Sequence, residues 1–188
     1  MIEALAVSFG LVALAEIGDK TQLLTLDLAS RFRRPWPILA GIVAATLLNH
    51  LIAAGIGVFV GSKLEGPWLK WVIAASFFAI AIWAVFPDRL DEDERPAQPR
   101  LGVFGATAIS FFIVEIGDRT QIATAVLAAQ YAAWLPVVAG TTLGMVAANL
   151  PVVFLGGQLT RWIAVKWLRW GAVVLSTALG IAALLQGQ

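Results

Sequence analysis

Six long apolar stretches limit this chain's fold more than any other feature. They run roughly over 2–30, 37–61, 68–86, 101–131, 135–159 and 163–185. A helix needs about 20 residues to cross about 30 Å of hydrocarbon, and each stretch is long enough, with 68–86 nearest the minimum. The composition agrees. Hydrophobic residues make up 60% of the 188 and charged residues 13%, where a soluble domain carries about 25% charged residues. Mean hydropathy is +0.84. The short connections "RFRRPWP" (31–37), "SKLEGPWLK" (62–70) and "YAAW" (131–134) hold the aromatic and basic residues suited to a membrane interface. These features predict an all-α membrane protein with six transmembrane helices. There is no cysteine, which excludes disulfides and thiolate chemistry. A net charge of +1 gives no electrostatic case for a nucleic-acid partner. The opening "MIEALAVSFGLVALAEIGDK" lacks a basic n-region and reads as a retained helix.

The chain also repeats itself. A shift of 99 positions carries Glu16 to Glu115, Gly18 to Gly117, Asp19 to Asp118, Lys20 to Arg119, Thr21 to Thr120 and Gln22 to Gln121. The same shift carries Thr25 to Thr124, Leu28 to Leu127, Gly41 to Gly140 and Gly57 to Gly156, without a gap. Residues 1–86 and 101–188 then form two three-helix repeats joined by the acidic linker 87–100, "PDRLDEDERPAQPR". Three spans per repeat force the second copy to insert upside down, which predicts inverted repeats with a site at mid-membrane between them. Arg31, Arg33, Arg34, Arg89, Arg95, Arg100, Arg161, Lys166 and Arg169 fall on one side of this arrangement, and Lys63 and Lys70 on the other, with the termini. That bias predicts periplasmic termini and a cytoplasmic linker in a bacterial inner membrane.

The first and fourth stretches are interrupted by "EIGDKTQ" (16–22) and "EIGDRTQ" (115–121). Leu101–Val114 and Ile122–Gln130, on either side of the second motif, are each too short to span alone, so the charges are expected at membrane depth. An Asp or Lys at a helix centre costs at least about 2.5–3.5 kcal/mol on insertion scales. Glu16, Asp19, Lys20, Glu115, Asp118 and Arg119 therefore need partners, water or a guest. Glu16 and Asp19, and likewise Glu115 and Asp118, stand at i, i+3 on one helical face. If the halves meet, four carboxylates converge, and with Lys20 and Arg119 as counter-charges or gating partners the set sums to −2. One divalent cation cancels that charge. The carboxylates, with Thr21, Thr120, Gln22 and Gln121 as neutral donors, form a hard oxygen set suited to Ca²⁺, Mg²⁺ or Mn²⁺. Gly18 and Gly117 allow the backbone to loosen there. Crowded carboxylates also repel, so protons can replace a departing metal, which is a route to antiport. The competing reading is structural pairing within each motif, Glu16 with Lys20 and Glu115 with Arg119. Duplication of the whole motif at matching positions favours a site.

The paired E-x-G-D-[KR]-[TS] motif, the two three-helix halves and the acidic linker resemble the membrane family of Golgi Mn²⁺/Ca²⁺ transporters and their bacterial and chloroplast relatives. The resemblance covers essentially the whole chain. It implies a secondary exchanger of Mn²⁺ and/or Ca²⁺ against H⁺, with Glu16, Asp19, Glu115 and Asp118 as ion ligands, and no prosthetic group. The compact length resembles the bacterial members, which implies manganese export. A passive channel and an intramembrane enzyme are the alternatives. Carboxylates paired with cations suit a binding-and-release cycle better than a pore, and no nucleophile or cofactor motif accompanies the acids.

Lesser candidates remain. His50, the only histidine, maps by the 99 shift onto Asn149. Both are expected to form interhelical hydrogen bonds, with proton relay as the functional alternative for His50. Asn49 is a weaker site candidate. Asp27 reads as an interfacial residue near Arg31. Asp91, Glu92, Asp93 and Glu94 read as a solvated charge run, and the glycines of 41–61 as helix-packing positions.

Overall fold

The computed structural model describes residues 1–64, 68–86, 101–156 and 165–185. Among these there is no strand. The helices are α1 (Ile2–Glu16), α2 (Lys20–Phe32), α3 (Pro35–Lys63), α4 (Trp68–Val85), α5 (Gly102–Glu115), α6 (Arg119–Tyr131), α7 (Trp134–Leu155) and α8 (Val165–Leu185). The linker 87–100 and Arg161 lie outside the described residues.

Four helices, namely α3, α4, α7 and the Trp167–Leu185 part of α8, are long and apolar enough to cross a membrane. The other four hold 13 to 15 residues each. At about 1.5 Å rise per residue they fall short of the hydrocarbon thickness. The first and fourth apolar stretches of the sequence are thus each two helices, and a tight turn is the reason. Ile17 has φ −70° and ψ 114°, and Gly18 follows at φ 82°. Asp19 N–H closes the turn onto Glu16 O at 3.1 Å. Ile116 (φ −63°, ψ 120°) and Gly117 (φ 75°) repeat the geometry, with Asp118 N–H on Glu115 O at 3.1 Å. This is the type II pattern, whose third residue needs a positive φ and so favours glycine. The corner after each second helix also repeats. Arg33 and Ala132, 99 positions apart, take left-handed conformations at φ 52° and 48°.

Packing partners exchange between the two halves. Helix α1 lies against α7, and α5 against α3. The glycines explain how closely they lie. A Cβ on Gly41 would come within 2.7 Å of Thr107 Cβ and 2.9 Å of the Phe104 carbonyl. A Cβ on Gly140 would collide with the Leu5 carbonyl and stand 2.9 Å from Ser8 Cβ. Each of these residues is the 99-shift counterpart of the other set. Gly57 and Gly61 let α3 approach Ala125 and Ala129 of α6 in the same way, whereas Gly55 of α3 is exposed with open space around it. Close packing is therefore the role of some, not all, glycines in 41–61.

Polarity is turned inward. Leu48, Ile52, Ile56 and Phe59 of α3, Ile82 of α4 and Val174 of α8 are exposed, while Ser8, Thr46, Asn49, His50, Thr107 and Asn149 are buried. A soluble protein rarely leaves apolar patches beyond a few hundred Å² facing water. This is a membrane protein. Beside the two turns, Val12, Leu24, Leu28, Ile42, Phe111 and Val114 form a compact apolar cluster that fixes the broken helices against α3.

Candidate metal centre

The turns decide where the acids stand. Glu16 and Glu115 are the last residues of α1 and α5, and Asp19 and Asp118 are the N-caps of α2 and α6. All four are buried. Glu16, Asp19 and Asp118 each offer a carboxylate oxygen, and these oxygens lie within 4.8 Å of one another. The cluster therefore draws on both halves of the chain. Glu16 Oε2 accepts from Thr21 Oγ1. Glu16 Oε1 is buried and has no hydrogen-bond partner among the described residues. A buried, unsatisfied carboxylate oxygen is costly, and a bound cation would remove that cost.

The two cations reach across. Arg119 Nη2 donates to Asp19 Oδ1, and Lys20 Nζ stands 3.9 Å from Asp118 Oδ1. Each motif's cation thus pairs with the aspartate of the other motif, and not with its own motif's glutamate as in the competing structural reading. The two differ in setting, since the Arg119 side chain is 4% exposed and that of Lys20 18%.

The glutamines brace the turns. Gln22 Oε1 accepts from Gly18 N–H at 2.9 Å, and its Nε2 donates to Ala148 O of α7 at 3.0 Å. Gln121 Oε1 accepts from Gly117 N–H at 2.8 Å. Their amide oxygens therefore each spend one lone pair on a backbone donor. Asp118 caps α6, its Oδ2 accepting from Thr120 N–H (3.3 Å) and Thr120 Oγ1 (3.1 Å). Thr25 Oγ1 lies 2.5 Å from Asn149 Oδ1 and ties α2 to α7.

Glu115 stands outside the three-carboxylate group. Thr46 Oγ1 donates to its Oε1 at 2.9 Å, and Asn49 Nδ2 to its Oε2 at 2.8 Å. Thr46 drew no notice in the sequence, and Asn49 was ranked below His50. A signal existed, because three polar residues at 46, 49 and 50 in an apolar helix share one face. Asn149 makes the expected interhelical bond, accepting from Thr25. His50 does not: it is buried, and neither ring nitrogen meets a hydrogen-bond partner among the described residues. Asp27 is exposed on α2.

Comparison with known proteins identifies the chain's relatives. The profile of a family described as "Divalent cation/proton antiporter GDT1" matches residues 4–92 and 103–188. A Vibrio cholerae protein named "Putative manganese exporter" is 54% identical over 157 residues, 83% of this chain and 78% of that one. A GDT1-like protein of Synechocystis is 28% identical over 181 residues, covering 84% of each chain. GDT1-like protein 5 of Arabidopsis thaliana is 24% identical over 223 aligned positions, covering 98% of this chain and 96% of its own. No solved structure matches the chain. Both halves are matched, each with its acidic motif, and the chain belongs to the GDT1 family of divalent cation/proton antiporters, a family of transporters and not of enzymes.

Proposed function

We propose that the protein exports Mn²⁺ across a bacterial inner membrane in exchange for protons, with the ion held by Glu16, Asp19 and Asp118. The observation that carries this reading is the meeting of those three carboxylates within 4.8 Å, with one Glu16 oxygen left without a hydrogen-bond partner. Their donors are hard oxygens, which Mn²⁺ accepts readily and Ca²⁺ shares. The 54% identity to a protein whose name specifies manganese supports Mn²⁺ as the main cargo. Thr21 and Thr120 orient the carboxylates, and Gln22 and Gln121 hold the turns, with their second lone pairs open to the ion.

In this reading 1–86 and 101–188 are inverted repeats of three spans each, and each broken helix pair counts as one span. The exchange of packing partners between α1–α7 and α5–α3 supports it. Both termini lie in the periplasm, and the linker 87–100 lies in the cytoplasm. Lys20 and Arg119 neutralise the aspartates while no ion is bound. An arriving divalent cation competes with them and frees the two halves to rock. Protons take over the carboxylates when the ion leaves, which couples the two fluxes.

The test is transport in proteoliposomes with an imposed pH gradient, Mn²⁺ and Ca²⁺ in competition. Glu16→Gln and Asp118→Asn, made separately, are each expected to abolish Mn²⁺ flux in protein that still inserts and folds. Full flux in both would remove the site assignment. Metal movement without counter-flow of protons would favour a channel.

A further inference from the structure

The two halves close differently around matching helix pairs. In the second half α6 lies tightly on α3. A Cβ on Gly57 would collide with the Ala125 carbonyl, and one on Gly61 would stand 3.2 Å from Ala129 Cα. Ala54 and Ala128, from the same two helices, are fully buried. The 99 shift turns this contact into α7 against α2, with Gly57, Ala54, Ala128 and Ala129 becoming Gly156, Val153, Ala29 and Ser30. Those four residues stand instead on the wall of a cavity of about 420 Å³, and a Cβ on Gly156 would meet nothing within 4 Å. Ser30 and Arg33, also on that wall, are exposed, and such groups call for water and not hydrocarbon. Helix α6 is backed by α4, and among the described residues α8 gives α2 no comparable backing.

One polar contact closes the inner end of the cavity. Thr25 Oγ1 stands 2.5 Å from Asn149 Oδ1. Ala29 is one turn beyond Thr25 on α2, and Val153 one turn beyond Asn149 on α7. One turn the other way is Thr21, whose carbonyl lies 2.9 Å from Thr25 Oγ1 and whose hydroxyl donates to Glu16. A single layer of side chains thus parts the cavity from the residue that orients Glu16. The counterparts of Thr25 and Asn149 are Thr124 and His50. Thr124 Oγ1 donates to Thr120 O at 2.8 Å, and neither His50 nitrogen has a partner among the described residues. Backbone contact at Gly57 does the sealing there.

We propose that this cavity is the entrance by which the divalent cation reaches its site, and that Thr25 and Asn149 form the gate across it. The proposal rests on the ion site and orientation given above, in which this end is cytoplasmic. With the ion bound, α2 closes onto α7 through the contact that α6 now makes with α3. Gly156 then meets the Leu26 backbone, Ala29 nears Val153 and the cavity disappears. Inverted repeats can exchange conformations, so α6 loosens from α3 and the site opens to the other side. Glycine stands at both 57 and 156 because each position must admit a neighbouring carbonyl in one of the two states. Arg33, the exposed C-cap of α2, can turn its guanidinium to headgroup phosphates and leave the cation's path.

The chain has no cysteine, so single cysteines report accessibility directly. Ala29→Cys and Ala128→Cys, at matching positions of the full chain, are compared in proteoliposomes with a water-soluble maleimide on both faces. Without Mn²⁺, Ala29→Cys is expected to react at least about tenfold faster, since a buried thiol reacts only through local opening. Mn²⁺ with an imposed pH gradient should slow Ala29→Cys and speed Ala128→Cys. Thr25→Val keeps the shape and loses the gate bond. In that background Met145→Cys, one turn inside Asn149 and buried in the parent, should become reactive while the melting point stays near the parent's. Ala29→Phe fills the cavity and should stop Mn²⁺ flux in folded protein. Should it not fold, Val153→Phe fills the same space from α7. Equal reactivity at the two matching positions, changes of the same sign with Mn²⁺, an unreactive Met145→Cys or full flux with the cavity filled each overturns the proposal. Glu16→Gln separates the two levels. If it abolishes transport while any of those results is obtained, this inference alone fails. If it transports fully, the ion site beneath it fails.

Discussion

Arg119, the first residue of α6, donates to Asp19, the N-cap of α2, and so joins the two motifs through a buried ion pair. Removing one member of such a pair leaves a charge uncompensated, at a cost of about 3–5 kcal/mol. Arg119→Gln is therefore expected to lower the thermal midpoint in detergent sharply. Arg119→Gln combined with Asp19→Asn removes both charges and should recover much of that stability without recovering Mn²⁺ flux. Recovery of flux in the double variant would deny Asp19 a role in holding the ion.

Thr21 is the donor to Glu16. Thr21→Val removes the hydroxyl with little change of shape. Mn²⁺ affinity should fall by about 10–100-fold, the usual scale for a partner that orients a metal ligand, while the melting profile stays close to the parent. Thr21→Ser should behave as the parent. The readout is the half-saturating concentration, which a purely structural threonine would leave alone.

Gly117 has open space around it but a φ of 75°. Alanine would meet no neighbour and still be strained by about 1–2 kcal/mol in the left-handed region. Gly117→Ala is expected to slow transport and lower stability. Gly117→Asn, which tolerates this conformation better, should lose less. Equal behaviour of the two variants would mean that the turn geometry does not matter to transport.

Gly140 of α7 touches the α1 backbone. An added methyl must push the helices apart, and overpacking of this kind costs about 1–3 kcal/mol. Gly140→Ala should destabilise clearly, whereas Gly55→Ala on exposed α3 surface should be neutral or slightly stabilising, since alanine favours helix by about 1 kcal/mol over glycine. Comparing their melting points checks whether α1 and α7 are held this closely.

What the sequence revealed and what it hid separate by the range of the interaction. The breaks at Gly18 and Gly117 were legible because charge, glycine and segment length coincide within a few residues. The 99-residue repeat fixed which residues correspond, and the helix ends of α2 and α6 repeat at that spacing. The pairing of Arg119 with Asp19 was not legible, because it depends on how two distant turns face each other. The hydrogen bonds that hold Glu115 were hidden for a related reason: their donors, Thr46 and Asn49, stand some seventy residues away on α3. Counterparts that differ, such as Thr46 and Met145, carry that information, and a search for likeness between the halves passes over them. The interhelical bond anticipated for His50 failed on the same ground, because polarity in an apolar helix marks a buried face without naming the partner.

Asp118 Oδ2 accepts from both the N–H and the hydroxyl of Thr120 at the start of α6, and its other oxygen lies near Lys20. A carboxylate drawn onto a divalent guest has less electron density to offer the amide it caps, and such caps are worth about 1 kcal/mol. With an ion held as proposed, that cap would weaken and the first turn of α6 would loosen. In the proposed cycle the cargo's arrival would thus reach a helix axis as a mechanical change before either half moved.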